Sequence, residues 1–213
     1  MNINIFVKEQ LSLEIYGTVT SEDVLQYIPE AYRQEISADR MQVKIQFVYI
    51  KECIFNKGPF GFNHFSLALW SINMDTPQEV NRWYLIRCDS DHDLMKKISN
   101  TFLHFPIQTA DFSFYEKRKS VISNYNIASM GDMRCHVDII ENDDNYHQEE
   151  TILVNRSGSL HMYHRDGDLP PFCRNVFVDV MKDEISKHVF HKGVRWTGKG
   201  LFTRGNQVAW IRI

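Results

Sequence analysis

Met41-Gln42-Val43-Lys44-Ile45-Gln46-Phe47-Val48-Tyr49-Ile50-Lys51-Glu52-Cys53-Ile54 is the stretch on which the fold turns. Successive residues of a strand point to opposite sides, so Val43, Ile45, Phe47 and Tyr49 share one face and Lys44, Gln46 and Val48 the other. The period of two holds throughout and predicts one long strand. Lys57-Gly58-Pro59-Phe60-Gly61 follows as a turn. Asn63 to Met74 then reads as a second long strand, and Trp83 to Cys88 as a third. Strands joined by short turns favour antiparallel pairing over a parallel sheet with intervening helices.

Upstream, Leu11 to Val19 alternates apolar and polar and predicts a half-buried strand. Ser21 offers an N-cap, with Glu22 and Asp23 in the first turn, where the helix dipole favours acids. Val24, Leu25 and Ile28 share a face, and Pro29 ends this short helix. Downstream, a helix is predicted over Asp91 to Phe102, with Leu94, Met95, Ile98 and Phe102 on one side. Phe112 to Met130 and Arg134 to Ile140 read as strands, and Glu141 to Glu150 as a polar loop. Thr151 to Asn155 and Ser159 to His164 form a hairpin across Arg156-Ser157-Gly158. Val176 to Val180, Val194 to Leu201 and Gln207 to Ile213 complete a β-rich end. There is no repeat, linker or low-complexity segment, so residues 1–213 are expected to form one α+β domain.

Composition narrows the function. With 24 basic and 27 acidic residues and a net charge of -3, nothing draws the chain to nucleic acid or an acidic membrane surface. The run Lys117-Arg118-Lys119 is short enough to be a solvated strand end. No stretch reaches the roughly 20 apolar residues that span a bilayer. Met1 to Lys8 lacks a basic n-region and a cleavage site, so no signal peptide is expected. Cys53, Cys88, Cys135 and Cys173 form no C-x-x-C pair and are expected to be reduced thiols of a cytoplasmic protein.

The order of the elements resembles a known family. A strand leads into a short helix ending Ile28-Pro29-Glu30; a long strand and turn follow; Gly61-Phe62-Asn63-His64-Phe65 opens the next strand. Later a helix runs into Phe105-Pro106, followed at once by a strand, and Trp196-Thr197-Gly198 lies near the end. These features resemble the acetoacetate decarboxylase family. The resemblance implies a closed, mostly antiparallel β-barrel around an apolar pocket, with a few helices outside, and it suggests a homo-oligomer; Trp210 is a candidate for an interface and equally for the core. It implies the fold and not the reaction.

The family motif reads aromatic-Pro-Lys-Lys where this chain has Phe105-Pro106-Ile107-Gln108. In the family the first lysine attacks a keto group as a neutral amine and forms a Schiff base, and its neighbour's positive charge helps keep it neutral. Ile107 offers no nucleophile and Gln108 no charge, so that route is closed here. His64, after Phe62 and Asn63, stands where the family has a carboxylate; Gln46 aligns with a second family glutamate. Ser99-Asn100-Thr101 replaces Gly-Arg-Glu, and Gln10 or Lys8 lies nearest the family's substrate-facing arginine. The resemblance thus implies a pocket lined by neutral hydrogen-bonding groups, suited to a weakly polar ligand.

The expected ligand is a small keto or acyl compound held by Gln46, Phe62, Asn63, Phe105, Ile107 and Gln108. The alternative is a lyase, hydratase or isomerase using His64 as acid/base, with Gln46 or Gln108 polarising a carbonyl. Asn63 and His64 are adjacent, so only one can face the pocket. Among other lysines, Lys44 lies opposite Val43 and Ile45 and could point either way in a barrel. Lys96 and Lys97 belong to a solvated helix face. His161/His164 and His188/His191 have zinc half-site spacing, but both segments read as extended, which sends i and i+3 to opposite faces. No metal and no cofactor is expected.

Overall fold

The chain runs β1 (Asn2–Thr20), α1 (Ser21–Leu25), a 3-10 turn (Glu30–Glu35), β2 (Arg40–Phe55), β3 (Gly61–Asn73), β4 (Arg82–Ser90), α2 (Asp93–Ile98), β5 (Ile107–Thr109), β6 (Asp111–Lys117), β7 (Ser120–Ile127), β8 (Gly131–Ile139), β9 (Glu150–Arg156), β10 (Ser159–Asp166), β11 (Phe172–Asp183), α3 (Ser186–Val189) and β12 (Arg195–Arg212). This is a computed structural model that describes residues 2–36, 39–55, 61–98, 107–117, 120–140, 150–156, 159–166 and 172–212.

Antiparallel ladders join β1 to β2, β2 to β3 and β3 to β4. Strand β9 adds to β4 in parallel, β10 pairs with β9, and β12 pairs with both β10 and β1. Seven strands therefore close a mostly antiparallel barrel. The first half of β12 also pairs with β11, which begins a second arm, β11-β8-β7-β6. Short helices are few.

The register assigns each side chain of the shared wall to one of two interiors. Leu13 faces Phe47, Ile15 faces Ile45, and Phe47 faces Ala68, so these lie together on the outer face. They pack with Trp70 under the second arm (Val121, Tyr125, Met133) and under Val24 and Phe190 of the helical segments. The Phe47 and Tyr125 rings meet edge-on at 5.5 Å. Burying each such side chain stabilises the fold by about 1.5–3 kcal/mol.

The alternate residues face the barrel lumen. Lys44 of β2 reaches Glu150 of β9, three strands away around the ring. Along a flat sheet those strands would lie about 14 Å apart, so the contact crosses a concave interior.

Several expectations need correction. Phe112 to Met130 is not one strand but the hairpin β6–β7, with Lys117 opposite Ser120. The two C-terminal segments are one strand, β12, which continues through Gly205 at φ 135, a conformation open to glycine. Gly205 lies opposite Gln10, where β1 is bulged. His188 is in helix α3 rather than in extended chain. The predicted helix to Pro29 stops at Leu25, and Ser21 is its first residue; the N-cap is Thr20, whose hydroxyl donates to Asp23 at 2.8 Å. Glu150 is not loop but the buried first residue of β9. Helix α2 is described only to Ile98.

Candidate functional site

On the lumen side, Ile107 pairs with Cys88, and Cys88 with Leu69. Ile107, Cys88 and Val154 form an apolar cluster, with Leu67, Leu69, Leu85 and Ile152 packed against it. Ile107 is 6% exposed. The position expected to hold an isoleucine in place of a Schiff-base lysine thus faces the barrel interior, and hydrocarbon surrounds it. Burial pushes the Cys88 thiol far above its ordinary range, with the negative charge of Asp89 adding to the effect, so Cys88 is an apolar wall group and not a thiolate nucleophile.

Gln46 also faces the lumen, is buried, and donates from its amide to Ser12 Oγ at 2.9 Å. The Lys44 side chain, one step along β2, is 3% exposed. Its ammonium pairs with Glu150, stands 3.7 Å from Glu14, and lies 4.5 Å above the Trp83 ring. Tyr16 donates to Glu14 at 2.6 Å and so holds that carboxylate in place. The expectation of a lumen lined by neutral polar groups is therefore corrected: it holds a buried cation and two carboxylates. Sequence reasoning missed Glu14 and Glu150, which lie in strands far from Lys44 along the chain.

Gln108 points the other way. A β-bulge in β4 sets two residues, Ile86 and Arg87, against one step of β3, and bulges re-aim side chains. Arg87 then turns onto Asp89, with Nε at 2.8 Å from Oδ2 and Nη2 at 2.9 Å from Oδ1. Its Nη2 also donates to Gln108 Oε1 at 2.6 Å. Tyr125 donates to Asp89 from β7, and Trp70 Nε1 lies 3.4 Å from the Tyr125 oxygen. Burial, then the charge of Asp89, pushes the Tyr125 phenol well above its usual range. This is a structural clasp between β4 and the second arm. Gln108 belongs to it and is not available to a lumen ligand.

His64 is exposed, has φ 50, and shares a hydrogen bond of 3.0 Å between Nδ1 and the Tyr49 hydroxyl. The expected acid/base inside the barrel is therefore on its outside. Asn63, opposite Glu52, is exposed as well, so neither neighbour is enclosed in the buried interior. Phe62 is buried, with its ring 6.1 Å from Phe65 and 5.9 Å from His92. Tyr49 also lines a cleft of about 260 Å³ with Gln10, Leu11, Glu116, Arg204 and Gly205. Phe105 and the Ser99-Asn100-Thr101 segment lie outside the described residues. Among the described residues no cluster of three or more His, Cys, Asp or Glu side chains could hold a metal ion, and no helix is long and apolar enough to cross a membrane.

No family model matches the chain, and no curated protein does. Solved structures do. An acetoacetate decarboxylase-like enzyme from Sphingomonas wittichii RW1 superposes with a TM-score of 0.64 at 8% identity, covering 98% of this chain and 90% of that one. The enduracididine biosynthesis enzyme MppR, complexed with the condensation product of pyruvate and imidazole 4-carboxaldehyde, gives 0.61 at 8% identity over 98% and 87%. Acetoacetate decarboxylase from Legionella pneumophila gives 0.56 at 10% identity over 99% and 87%. At such identities the likeness is one of architecture, and it spans nearly all of both chains: the chain has the acetoacetate decarboxylase-like fold.

Proposed function

We propose that the protein binds a small keto or acyl compound with an apolar body in the barrel lumen, without forming a Schiff base. The observation that carries this is the setting of Ile107: the motif position faces the lumen, is buried, and packs against Cys88 and Val154. Barrel interiors with an apolar lining and a few convergent polar groups are the usual place for small ligands. Gln46 and Ser12 supply a neutral polar pair on the same side. Lys44 faces this interior, and its nitrogen is held between two carboxylates. A Schiff-base lysine must instead attack as a free amine.

The test is reductive trapping. The protein is incubated with acetoacetate or pyruvate and borohydride, and its intact mass is measured. The expected result is an unchanged mass. A covalent adduct, mapped to Lys44 or to any other lysine, would overturn the absence of Schiff-base chemistry. Native mass spectrometry of freshly purified protein addresses the binding itself, with a retained small organic molecule as the expected outcome.

A further inference from the structure

We propose that Lys44 and Glu150 form an acid/base pair that enolises a neutral ketone bound in the lumen. The inference rests on lumen binding as proposed above and adds the chemistry and the ligand class. Three observations carry it.

The first is position. Lys44, Glu14 and Glu150 come from three strands and meet inside the barrel, in the same interior that Ile107, Cys88 and Val154 face. Buried lysines and glutamates are rare unless paired, and a single pair would satisfy each charge. Here one buried ammonium meets two buried carboxylates, and each of the three charges carries a desolvation cost.

The second is donor capacity. The ammonium has three N–H donors. Among the described residues only Glu150 accepts a hydrogen bond from it; Glu14 at 3.7 Å is an ion-pair partner beyond hydrogen-bond reach, and Trp83 offers a ring face. Donor capacity remains for a carbonyl oxygen.

The third is length. Lys44 and Gln46 are one lumen-facing step apart on β2, about 7 Å. Gln46 pairs with Leu69, and Leu69 with Cys88, which pairs with Ile107. A ketone whose oxygen meets Lys44 would lay a tail of about four to six carbons along this wall, at the roughly 1.3 Å that each extended C–C bond advances.

In the step, the Glu150 carboxylate takes a proton from the carbon beside the carbonyl. The C–H electron pair becomes the C=C bond, and the carbonyl π pair moves onto oxygen, where the Lys44 ammonium holds the developing charge. Returning the proton to the same or the other α-carbon closes the cycle, and no co-reactant is consumed. Glu14 keeps an anion beside the ammonium while Glu150 is protonated. A ligand carboxylate would suit this interior poorly, because two anions are already present.

The experiment uses the full chain and 2-heptanone, whose five-carbon tail fits that length, in D2O. Proton NMR follows loss of the α-proton signals, and saturation-transfer difference spectra on the same samples report binding. The wild type is expected to exchange at least about tenfold faster than the protein-free solution. Glu150→Gln is expected to lose this acceleration while keeping the saturation-transfer signal. Should Glu150→Gln fail to fold by circular dichroism, Glu150→Asp retains the charge and moves it by one methylene, and the acceleration is expected to fall at least about tenfold. Binding with background exchange in the wild type would overturn the enolisation and leave lumen binding standing. So would wild-type exchange in folded Glu150→Gln. Absence of any saturation transfer would overturn both.

Discussion

Replacing Asp89 with alanine should nearly unfold the protein, and the clasp shows why. Asp89 is fully buried and accepts from Arg87 through both carboxylate oxygens and from Tyr125. Removing it leaves a largely buried guanidinium without its counter-ion, which costs about 3–5 kcal/mol. It also strands the Tyr125 hydroxyl, for about 1–2 kcal/mol more. Together these give about 4–7 kcal/mol, a large part of the 5–15 kcal/mol that typically separates folded from unfolded chains. Urea denaturation followed by tryptophan fluorescence is the assay, since Trp70 sits against Tyr125. With a slope of about 3 kcal/mol/M for a chain of this size, the midpoint should fall by about 1.3–2.3 M. The double variant Arg87→Leu/Asp89→Leu removes both charges and should recover at least half of that loss, because apolar replacement of a buried ion pair is often neutral. A shift below about 0.5 M for Asp89→Ala, with unchanged slope, would refute the assignment of the clasp as a principal tie between β4 and the second arm.

Tyr125 also predicts an alkaline limit. Its phenol is raised above the ordinary 10.0 in the folded state. The unfolded chain releases this proton first, so the contribution is complete below about pH 10 and is lost as pH rises beyond it. Tyr125→Phe should remove that part of the pH dependence in denaturation curves taken between pH 9 and about 11.5. Burial raises the thiols of Cys53 to about 11 and Cys135 to about 12, and raises Cys88 further. All three should resist a thiol-specific disulfide reagent in the native state at pH 8 and react on unfolding; fast native labelling at any of them would contradict their placement. Gly200 lies where an added Cβ would stand 2.4 Å from the Glu14 carbonyl oxygen and 2.8 Å from Val178. Gly200→Ala should cost about 1–3 kcal/mol by urea titration.

The long hairpin of β2 and β3 was legible because its alternation is unbroken and a Gly-Pro turn separates the strands. The β9–β10 hairpin was legible because Arg156-Ser157-Gly158 separates two short runs rich in apolar and β-forming residues. The β6–β7 hairpin was not: the reversal falls within the polar run Glu116 to Ser120, and no glycine, proline or Asn-Gly pair marks it. At the site, the family motif singled out Ile107 and Gln46, and both face the lumen. Lys44 could be placed opposite Ile45 but not inside or outside, because both faces of β2 are buried and hydrophobicity then loses its power to tell them apart. Its partners were hidden further. Glu150 follows a run of polar residues that reads as loop, and its pairing with Lys44 exists only once the ring closes. His64 was misplaced because the motif gives a position in the chain, whereas φ 50 at that residue and the hydrogen bond to Tyr49 set where its ring goes.

The bulge in β4 has a consequence for anyone mutating this strand. Arg87 and Asp89 serve one compartment while Cys88 and Ser90 serve the other, so chain neighbours answer to different selections. A saturation scan from 87 to 90 should alternate in what it disturbs, the clasp to the second arm at odd positions and the packing of the lumen wall at even ones. Substitutions meant to reshape the lumen wall therefore belong at 88 and 90, restricted to side chains small enough for a buried site, with 87 and 89 left untouched.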